Sequence, residues 1–415
     1  MLRPLAAVVT LALIVAVATP ATAAQSYDPS FHSFTLTPAP GLTLSAGSLT
    51  LAGSGTTTGT YTDPYLGTTI AYDSATWTSE WFATPTAFTE LVASWNADTP
   101  EGTWIETRMR AEGDKGRTKW YVMGRWAYGD ETIYRTSVGG QGDADGFIAT
   151  DTFFAKDHPM TAYELQVELF RAQGSGLTPR LDFIGAVASD APNLKGYVPS
   201  PLGGAEGTTV AVPAYSQEIH KGDYPEYDKG GEAWCSPTST SMILRKWFPE
   251  RPGASEYAYV LADPRYGPEH PDPWIDYAAR YVYDYRYQGA GNWPFNTAYA
   301  AHFGLRGFVT QLRSLNEAER FVTQGIPLVA SIAFTSNKLS GFLFKSTGGH
   351  LLTIVGFDAA GNVISNDPDS ASDATVPHVY DRRQFERDWL ASTGGIVYVI
   401  YDPARASLPP SAGNW

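Results

Sequence analysis

One residue stands out among the side chains that could do covalent chemistry. Cys235 is the only cysteine in 415 residues, within the sequence Trp-Cys-Ser-Pro-Thr at 234–238. A thiol without a partner in an exported protein is a liability unless its chemistry is used. Pro237 favours the first position of a helix, and the positive end of a helix dipole favours thiolate over thiol. The sequence therefore predicts a nucleophile at Cys235, although a buried, inert cysteine fits the same residue.

A later histidine and aspartate supply the groups that a thiol nucleophile needs. A base must take the thiol proton, and a carboxylate on the far imidazole nitrogen holds the ring in the productive tautomer. His350 enters an apolar strand, 351–357, and Asp367 leaves the next strand, which begins at Val363. Because the start of one strand of a hairpin lies beside the end of the next, we expect His350 and Asp367 to be neighbours.

The negative charge that develops on a substrate carbonyl requires fixed hydrogen-bond donors. Backbone N–H groups at the helix start and the side-chain amide of Gln217 are candidates. Taken singly, His350, Asp367 and Gln217 are an ordinary strand-end residue, turn residue and surface residue. Taken together with the lone thiol, they favour a catalytic Cys-His-Asp assembly. We expect no metal and no other cofactor, because no pair of histidines shows a zinc spacing and one cysteine cannot build a cysteine-rich site.

Composition and the N-terminus limit the class of protein. Hydrophobic residues make up 43% of the chain and its formal net charge is −14, which favours packed cores and argues against nucleic acid as a partner. Residues 1–24 have the positive start, the apolar stretch and the Ala-Thr-Ala cleavage site of a secretory signal peptide. Because no later stretch approaches a membrane span in length, we expect a secreted, extracellular protein with no integral span in the mature chain.

The region 25–190 has the pattern of an all-β accessory domain. Runs such as 163–169 and 104–111 alternate apolar and polar residues, and Gly-rich turns separate them. Many short strands with turn signals predict a jelly-roll-like β-sandwich. Tryptophans in this region could stack on sugar rings, although we favour a role in the core. These residues are Trp81, Trp95, Trp104, Trp120 and Trp126.

A Pro- and Gly-rich linker at 191–212 leads into a second domain at 213–402, followed by a C-terminal tail at 403–415. Mixed helix and strand patterns predict an α+β domain here. The predicted elements are helices at 274–281 and 296–303, a helix opened by a capping box at 314–317, and a strand at 328–332. The aromatic run 281–293 is open to two interpretations, a cleft wall or packing against the sheet.

The order of short motifs from 211 to about 400 resembles the extracytoplasmic members of cysteine-peptidase family thirty-nine, the papain-like group named for bacteriocin leader-peptide processing. The motifs are Tyr-Ser-Gln at 215–217, Ala-Trp-Cys-Ser-Pro-Thr-Ser at 233–239, Gly-Ile-Pro-Leu-Val at 325–329, Gly-His-Leu-Leu at 349–352 and Asn-Asp-Pro at 366–368. The resemblance implies a papain-like α+β fold. It also implies four roles: Cys235 as nucleophile, His350 as general base, Asp367 as orienting residue and Gln217 as oxyanion donor. Unlike the leader-processing members, this chain has Ser236 after the cysteine and no glutamine a few residues before it.

The sequence thus predicts a secreted cysteine peptidase that hydrolyses peptide bonds through a thioester at Cys235. A cell-wall amidase or endopeptidase and a transglutaminase-like acyl transferase would use the same three residues. A non-catalytic exported protein that binds glycans or proteins is the alternative from another class. We expect a peptide or protein substrate, with peptidoglycan as one candidate, and the oligomeric state stays open.

Overall fold

The computed structural model describes residues 27–335 and 339–415. The predicted signal peptide at 1–24 lies outside the described residues. We call residues 27–189 the β module and residues 218–401 the α+β module. The expected fold class, an all-β first part followed by a mixed α+β part, is confirmed. None of the helices in the described ranges combines the length and the apolar character needed to cross a membrane.

The β module consists of antiparallel strands in two facing sheets. Its strands are β1 (Ser30–Ser33), β2 (Leu42–Ser45), β3 (Ser48–Leu51), β4 (Thr57–Thr62), β5 (Thr69–Thr78), β6 (Phe82–Phe88), β7 (Glu90–Asp98), β8 (Thr103–Gly113), β9 (Gly116–Arg117), β10 (Tyr121–Trp126), β11 (Gly146–Ala149), β12 (Thr152–Ala155), β13 (Met160–Ala172) and β14 (Arg180–Ser189). One sheet has the order β11-β12-β7-β14-β3-β2 with β1 beside β14, and the other has the order β10-β8-β13-β5-β4 with β6 beside β13 and β9 beside β8.

Alternation along β13 shows why these residues form a half-buried sheet. Tyr163, Leu165 and Val167 are fully buried on the inner face. The even-numbered positions of β13 point to the opposite face, where Glu168 pairs with Arg108 at 2.9 Å. A period of two therefore separates core from surface, as the sequence predicts.

The tryptophans divide between core and surface. Trp95, Trp104 and Trp126 are fully buried, so the core interpretation is correct for these three. Trp81 and Trp120 are half-buried, with the guanidinium of Arg110 over their rings at 5.5 Å and 4.6 Å. The Arg110 guanidinium lies over both rings, so each ring has a cation–π partner within the protein.

The α+β module places helices around a third antiparallel sheet. Its elements are α1 (Cys235–Trp247), α2 (Ala258–Ala262), α3 (Pro273–Val282), α4 (Trp293–His302), β15 (Arg306–Gln311), α5 (Leu315–Thr323), β16 (Leu328–Phe334), β17 (Thr347–Phe357), β18 (Val363–Asn366), β19 (Pro377–Tyr380), α6 (Arg382–Thr393) and β20 (Ile396–Tyr401). Short 3₁₀ helices lie at Glu218–His220, Gly231–Ala233 and Asp373–Thr375. The sheet order is β15-β20-β16-β17-β18-β19.

Two helix starts differ in detail from the sequence-based expectation. Helix α1 begins at Cys235, two residues before Pro237, because proline fits anywhere in a first turn whose N–H groups need no helical partner. Helix α5 begins where the capping box predicts, but the Ser314 side chain makes no capping bond. The Glu317 carboxylate turns instead to Arg313, accepting its backbone N–H at 2.8 Å and pairing with its guanidinium at 2.9 Å.

The two modules share one hydrophobic core. Phe295 of α4 contacts Trp95 and Trp126 of the β module edge-on or tilted, with ring centroids 6.1 Å and 5.4 Å apart. Asn96 of β7 donates to the Gly307 carbonyl oxygen at 2.6 Å across the junction. Because buried aromatic rings and a buried amide cross this boundary, the β module is fixed against the α+β module.

Candidate active site

The single cysteine lies at the start of a helix and faces a cleft. Cys235 is the first residue of α1 and is half-buried. The preceding Trp234 is fully buried and donates from its indole nitrogen to the Tyr227 carbonyl oxygen at 2.6 Å, which fixes the loop that enters the helix. The cleft beside the thiol has a volume of about 610 Å³. A thiol held on a helix end is thus accessible from the cleft.

Helix α1 is held against the sheet that carries the histidine. Ser236 shares a hydrogen bond of 2.8 Å with the Tyr398 hydroxyl of β20, and Ser239 donates to the Leu351 carbonyl oxygen of β17 at 3.2 Å. Leu351 follows His350 directly, so the helix is tied to the strand one residue from the imidazole. This packing sets the relative position of the thiol and the ring.

His350 and Asp367 are neighbours at the end of the hairpin formed by β17 and β18. His350 Nε2 lies 2.8 Å from Asp367 Oδ1, and both side chains are buried. The Tyr380 hydroxyl donates to Asp367 Oδ2 at 2.7 Å, and the Asp369 backbone N–H donates to Oδ1 at 3.2 Å. With Nε2 bound to the carboxylate, Nδ1 is the ring nitrogen left for the thiol.

The pKa of His350 reflects a balance between burial and charge. Burial lowers the pKa of an imidazole, but the charge and hydrogen bond of Asp367, together with a hydrogen bond to Cys235, raise the pKa of His350 well above its usual value. Burial raises the pKa of Asp367, but the charge of His350 and the bonds from His350 and Tyr380 bring that pKa below its usual value. The pair is therefore an imidazolium and a carboxylate near neutral pH.

Gln217 lies in the cleft wall, but its amide faces the protein. Its Nε2 donates to the Glu232 carbonyl oxygen at 2.9 Å and to a carboxylate oxygen of Asp369 at 3.4 Å. Its buried Oε1 has no hydrogen-bond partner in ranges 27–335 and 339–415. Because both amide hydrogens are engaged, an oxyanion role requires this side chain to rotate, and the assignment of Gln217 as donor stays a prediction.

The backbone N–H groups at the start of α1 can act as oxyanion donors without any side-chain rotation. The first helical bond of α1 is donated by Thr238 to the Trp234 carbonyl oxygen at 3.0 Å. The N–H groups of Cys235 and Ser236 come earlier and have no acceptor within the helix. A carbonyl oxygen attacked by the thiolate lies near the nucleophile's own backbone N–H, so this group can stabilise the developing charge.

The β module supplies one wall of the cleft. The turn between β11 and β12 brings Thr150 and Asp151 into the cleft that contains Cys235. Asp151 is buried, and its Oδ2 accepts the Trp293 backbone N–H of α4 at 2.8 Å. Burial raises the pKa of Asp151 to about 7, although the bonds from Trp293 and Thr152 oppose the rise. The site is therefore composite, with walls from both modules.

The aromatic run 281–293 serves both of the functions that its sequence suggests. Tyr287, half exposed, and Trp293 line the cleft. Tyr281 and Tyr285 pack instead on the β module, stacked on Tyr128 at 4.9 Å and on Tyr134 at 3.6 Å. One segment thus lines the cleft and holds the modules together.

A smaller cavity adjoins the cleft. It has a volume of about 210 Å³ and lies between β7 and the end of α6. Thr152, Phe154 and Trp293 line both spaces, so the cavity extends the cleft along the junction of the modules. An extended ligand in the cleft would have room to continue there.

Sequence reasoning missed three residues of this site: Tyr380, Asp369 and Asp151. Asp369 lies two positions after Asp367, a spacing that lets a backbone N–H return to the carboxylate. Tyr380 lies on β19, which pairs with β18, so a third predicted strand would have placed it nearby. Asp151 carries no signal in the sequence, because only the packing of the modules brings it to the cleft.

Comparison with known proteins gives two family matches. Residues 25–189 match the family described as "Peptidase C39 N-terminal domain", and residues 209–397 match the one described as "Peptidase_C39 like family". No curated protein matches the chain. Among solved structures, a chain of the "Structure of infectious bursal disease virus Gt strain" aligns at 13% identity with 42% of this chain and 36% of its own length. Its TM-score of 0.20 is too low to carry an argument.

Proposed function

Because the chain carries a domain of the C39-like cysteine-peptidase family, we propose that it is a secreted enzyme that hydrolyses peptide bonds with Cys235, His350 and Asp367. The observation that carries this proposal is the buried His350–Asp367 pair, joined at 2.8 Å, beside the only thiol of the chain. An imidazolium fixed in this way stabilises a thiolate, which is the reactive form of cysteine.

The reaction begins when the Cys235 sulfur attacks the carbonyl carbon of the scissile bond. The carbonyl electron pair moves to oxygen, where the N–H groups at the start of α1 bind the negative charge. As the C–N bond breaks, His350 gives its proton to the leaving nitrogen and an acyl thioester remains on sulfur. Water then loses a proton to His350 and attacks the thioester, releasing the acid and restoring the ion pair of thiolate and imidazolium.

Asp367 acts on the reaction through His350. Its carboxylate fixes the ring and favours the protonated form, while Tyr380 and the Asp369 backbone hold the carboxylate in place. Asp367 is therefore a positioning residue, and it keeps Nδ1 directed towards the cleft.

The charges in the cleft favour substrates with a basic group. Asp151, Asp228 and Glu232 line it, and no lysine or arginine does so among the described residues. Burial raises the pKa of Asp151 and of Asp228, and a cationic substrate group would offset the cost of ionising these buried carboxyl groups. We propose peptides with a basic side chain or a free amine near the scissile bond, a class that includes the amine-bearing stem peptides of cell walls.

Alkylation of Cys235 tests the nucleophile. Iodoacetamide should label wild-type protein at neutral pH at least about tenfold faster than a His350→Ala variant, because the thiolate is lost with its partner. His302→Gln is the matched control, since His302 lies in α4, beside Asp98 at 3.4 Å and stacked on Tyr128, and does not line the cleft. Mass spectrometry measures the rate and confirms the site.

Hydrolysis is tested separately with a peptide library and with purified peptidoglycan. New amine ends in either substrate, absent with Cys235→Ala, support hydrolysis, and preferred cleavage beside basic residues supports the charge argument. Equal alkylation rates for wild-type and His350→Ala, with no cleavage of either substrate, would favour a non-catalytic binding protein instead.

A further inference from the structure

Two histidines and two aspartates meet outside the proposed catalytic centre. His220 and Asp223 lie in the loop after Gln217, His270 precedes α3, and Asp276 lies within α3. One ligand atom from each residue falls within 4.8 Å of all the others. We call these four residues the histidine–aspartate cluster. Three separate parts of the chain therefore converge on one point.

The deepest members of the cluster lack the hydrogen bonds that buried polar groups need. The side chains of His220 and Asp276 are 0% exposed. Within the described ranges, three buried atoms have no hydrogen-bond partner: both ring nitrogens of His220 and Asp276 Oδ1. His220 Nδ1 lies 3.1 Å from Asp276 Oδ2, yet the two atoms are not aligned as a hydrogen bond. Nearly all buried polar atoms find partners, and an ion at the cluster would supply one to His220 Nδ1.

The spacing of the four atoms fits a single bound ion. His220 Nδ1 lies 3.1 Å and 3.7 Å from Asp276 Oδ2 and Asp223 Oδ2. His270 Nε2 lies 2.9 Å and 3.4 Å from the same two oxygens. Tetrahedral coordination of zinc at about 2.1 Å from each ligand separates neighbouring ligands by about 3.4 Å. The cluster thus has nearly the dimensions of a zinc site before any ion is added.

Charge also favours a divalent cation. An imidazole that binds a metal ion is neutral, so two carboxylates and two imidazoles acting as ligands would carry a charge of about −2, which a divalent ion neutralises. Among the described residues, Asp276 forms ion pairs only with the two histidines. Imidazole nitrogen favours zinc and related transition metals over calcium and magnesium, which prefer oxygen ligands.

We propose that His220, Asp223, His270 and Asp276 bind one transition-metal ion, with zinc as the best fit, as a structural site. The ion would hold the loop after Gln217 against α3. This loop packs closely on the segment that leads to Cys235, because a β-carbon at Gly231 would collide with the backbone of Gln217 and His220. With four protein ligands the site leaves no open position, so its role is to fix a cleft wall rather than to activate water.

The test uses the full mature chain without an affinity tag. Protein stripped with a chelator is titrated with zinc, followed by calorimetry and by metal analysis after desalting. We expect one zinc per chain and a higher melting temperature on zinc addition. Cobalt(II) should give the visible absorption of a tetrahedral site, while calcium should leave the melting temperature unchanged.

Two variants separate metal binding from folding. Asp276→Asn and His220→Gln should each weaken zinc binding by about 100-fold or more and abolish the cobalt absorption. His302→Gln removes a histidine from another histidine–aspartate pair and should bind zinc like wild-type. Circular dichroism of the metal-free variants checks that they are folded.

Several results would overturn the proposal. They are a wild-type chain that retains well under one equivalent of zinc, variants that bind it as tightly as wild-type, or stabilisation by calcium alone. None of these measurements depends on hydrolysis or on Cys235. The metal site and the proposed function therefore fail or succeed separately.

Discussion

The chemistry of the site depends on how one carboxylate is held. The Asp367 carboxylate is hydrogen-bonded to three groups: the imidazole of His350, the hydroxyl of Tyr380 and the backbone N–H of Asp369. Burial by itself would favour neutral partners, and the opposite charges placed at 2.8 Å, with the hydrogen bonds to Cys235, Tyr380 and Asp369, shift both pKa values towards the ionised forms. In the proposed mechanism, Asp367, Tyr380 and the Asp369 backbone therefore act on Cys235 through His350, without touching the substrate.

Asp367→Asn preserves the shape of this contact and removes its charge. The pKa of His350 should fall, because Asp367 is the main group that raises it. Alkylation of Cys235 and peptide hydrolysis at neutral pH should slow by about tenfold or more. The imidazole signals of His350, followed by NMR across a pH titration, measure the pKa directly. An unchanged His350 titration would contradict the assigned role.

Tyr380→Phe serves as a graded comparison for that variant. It removes one hydrogen bond to Asp367 and keeps the ring packed in the core, so we expect a smaller fall in alkylation rate than with Asp367→Asn. The lost bond to a charged group should reduce the free energy of unfolding by about 1.5–3 kcal/mol. Chemical denaturation gives this value, and a rate below that of Asp367→Asn would argue against positioning by the carboxylate.

Asp151 gives the molecule a predictable dependence on pH. Burial raises the pKa of Asp151 to about 7, compared with about 4 in an unfolded chain. The folded state therefore holds a proton between these values that the unfolded state releases, and the free energy of unfolding falls as pH rises from about 4 to 7. Asp151→Asn removes this loss, so it should be more stable than wild-type at pH 8, by a smaller margin at pH 5, and similar at pH 4.

The size of the Asp151 effect follows from the same pKa difference. A shift of about three pH units corresponds to at most about 4 kcal/mol. Thermal denaturation of both proteins at pH 5 and pH 8 measures it. Parallel pH profiles for wild-type and Asp151→Asn would show that Asp151 titrates normally.

At the scale of secondary-structure elements, the structure confirms that His350 and Asp367 are neighbours, as the predicted hairpin requires. The apolar run of β17, the short strand β18 and the turn at Gly361 suffice to predict that His350 and Asp367 lie together, because pairing of consecutive strands is local. The start of α1 is predicted to within two residues because the preference of proline for the first turn of a helix is also local. The oxyanion role of Gln217 depends on side-chain rotation, which local patterns do not describe.

A substitution at Gly349 tests the start of β17, next to His350. Gly348 and Gly349 are exposed at the start of β17, and a β-carbon at Gly349 would meet no atom within 4 Å. Gly349→Val should therefore leave the melting temperature unchanged or slightly higher, since valine favours strands. Its side chain would narrow the cleft, so hydrolysis of peptides should fall by about tenfold or more.

A small reagent provides the internal control for this variant. Iodoacetamide needs little room, so Cys235 in Gly349→Val should alkylate within about twofold of the wild-type rate. Equal loss of alkylation and hydrolysis would mean that the substitution disturbs His350 rather than the passage of substrate.

At the scale of the whole molecule, the contacts that the sequence did not reveal join distant parts of the chain, some between the modules and some within the α+β module. Asp151 reaches the cleft from the β module, and His220 meets His270 and Asp276 from a different part of the chain. Such contacts join residues about 50 or more positions apart and depend on how finished elements pack. No local pattern of polarity records them, so the composite cleft and the histidine–aspartate cluster emerge only in three dimensions.

Shared packing at the junction predicts that the two modules unfold together. Phe295 is fully buried between Trp95 and Trp126, so Phe295→Ala opens a cavity across the boundary. We expect a loss of about 3–5 kcal/mol in the free energy of unfolding and a single calorimetric transition at lower temperature. Phe147→Ala, at a partly exposed ring of β11 that stacks on Phe154, should cost no more than about 1.5 kcal/mol and leave one transition. Two transitions, of which only one moves in Phe295→Ala, would show that the modules fold independently and that the cleft wall at Asp151 is only loosely attached.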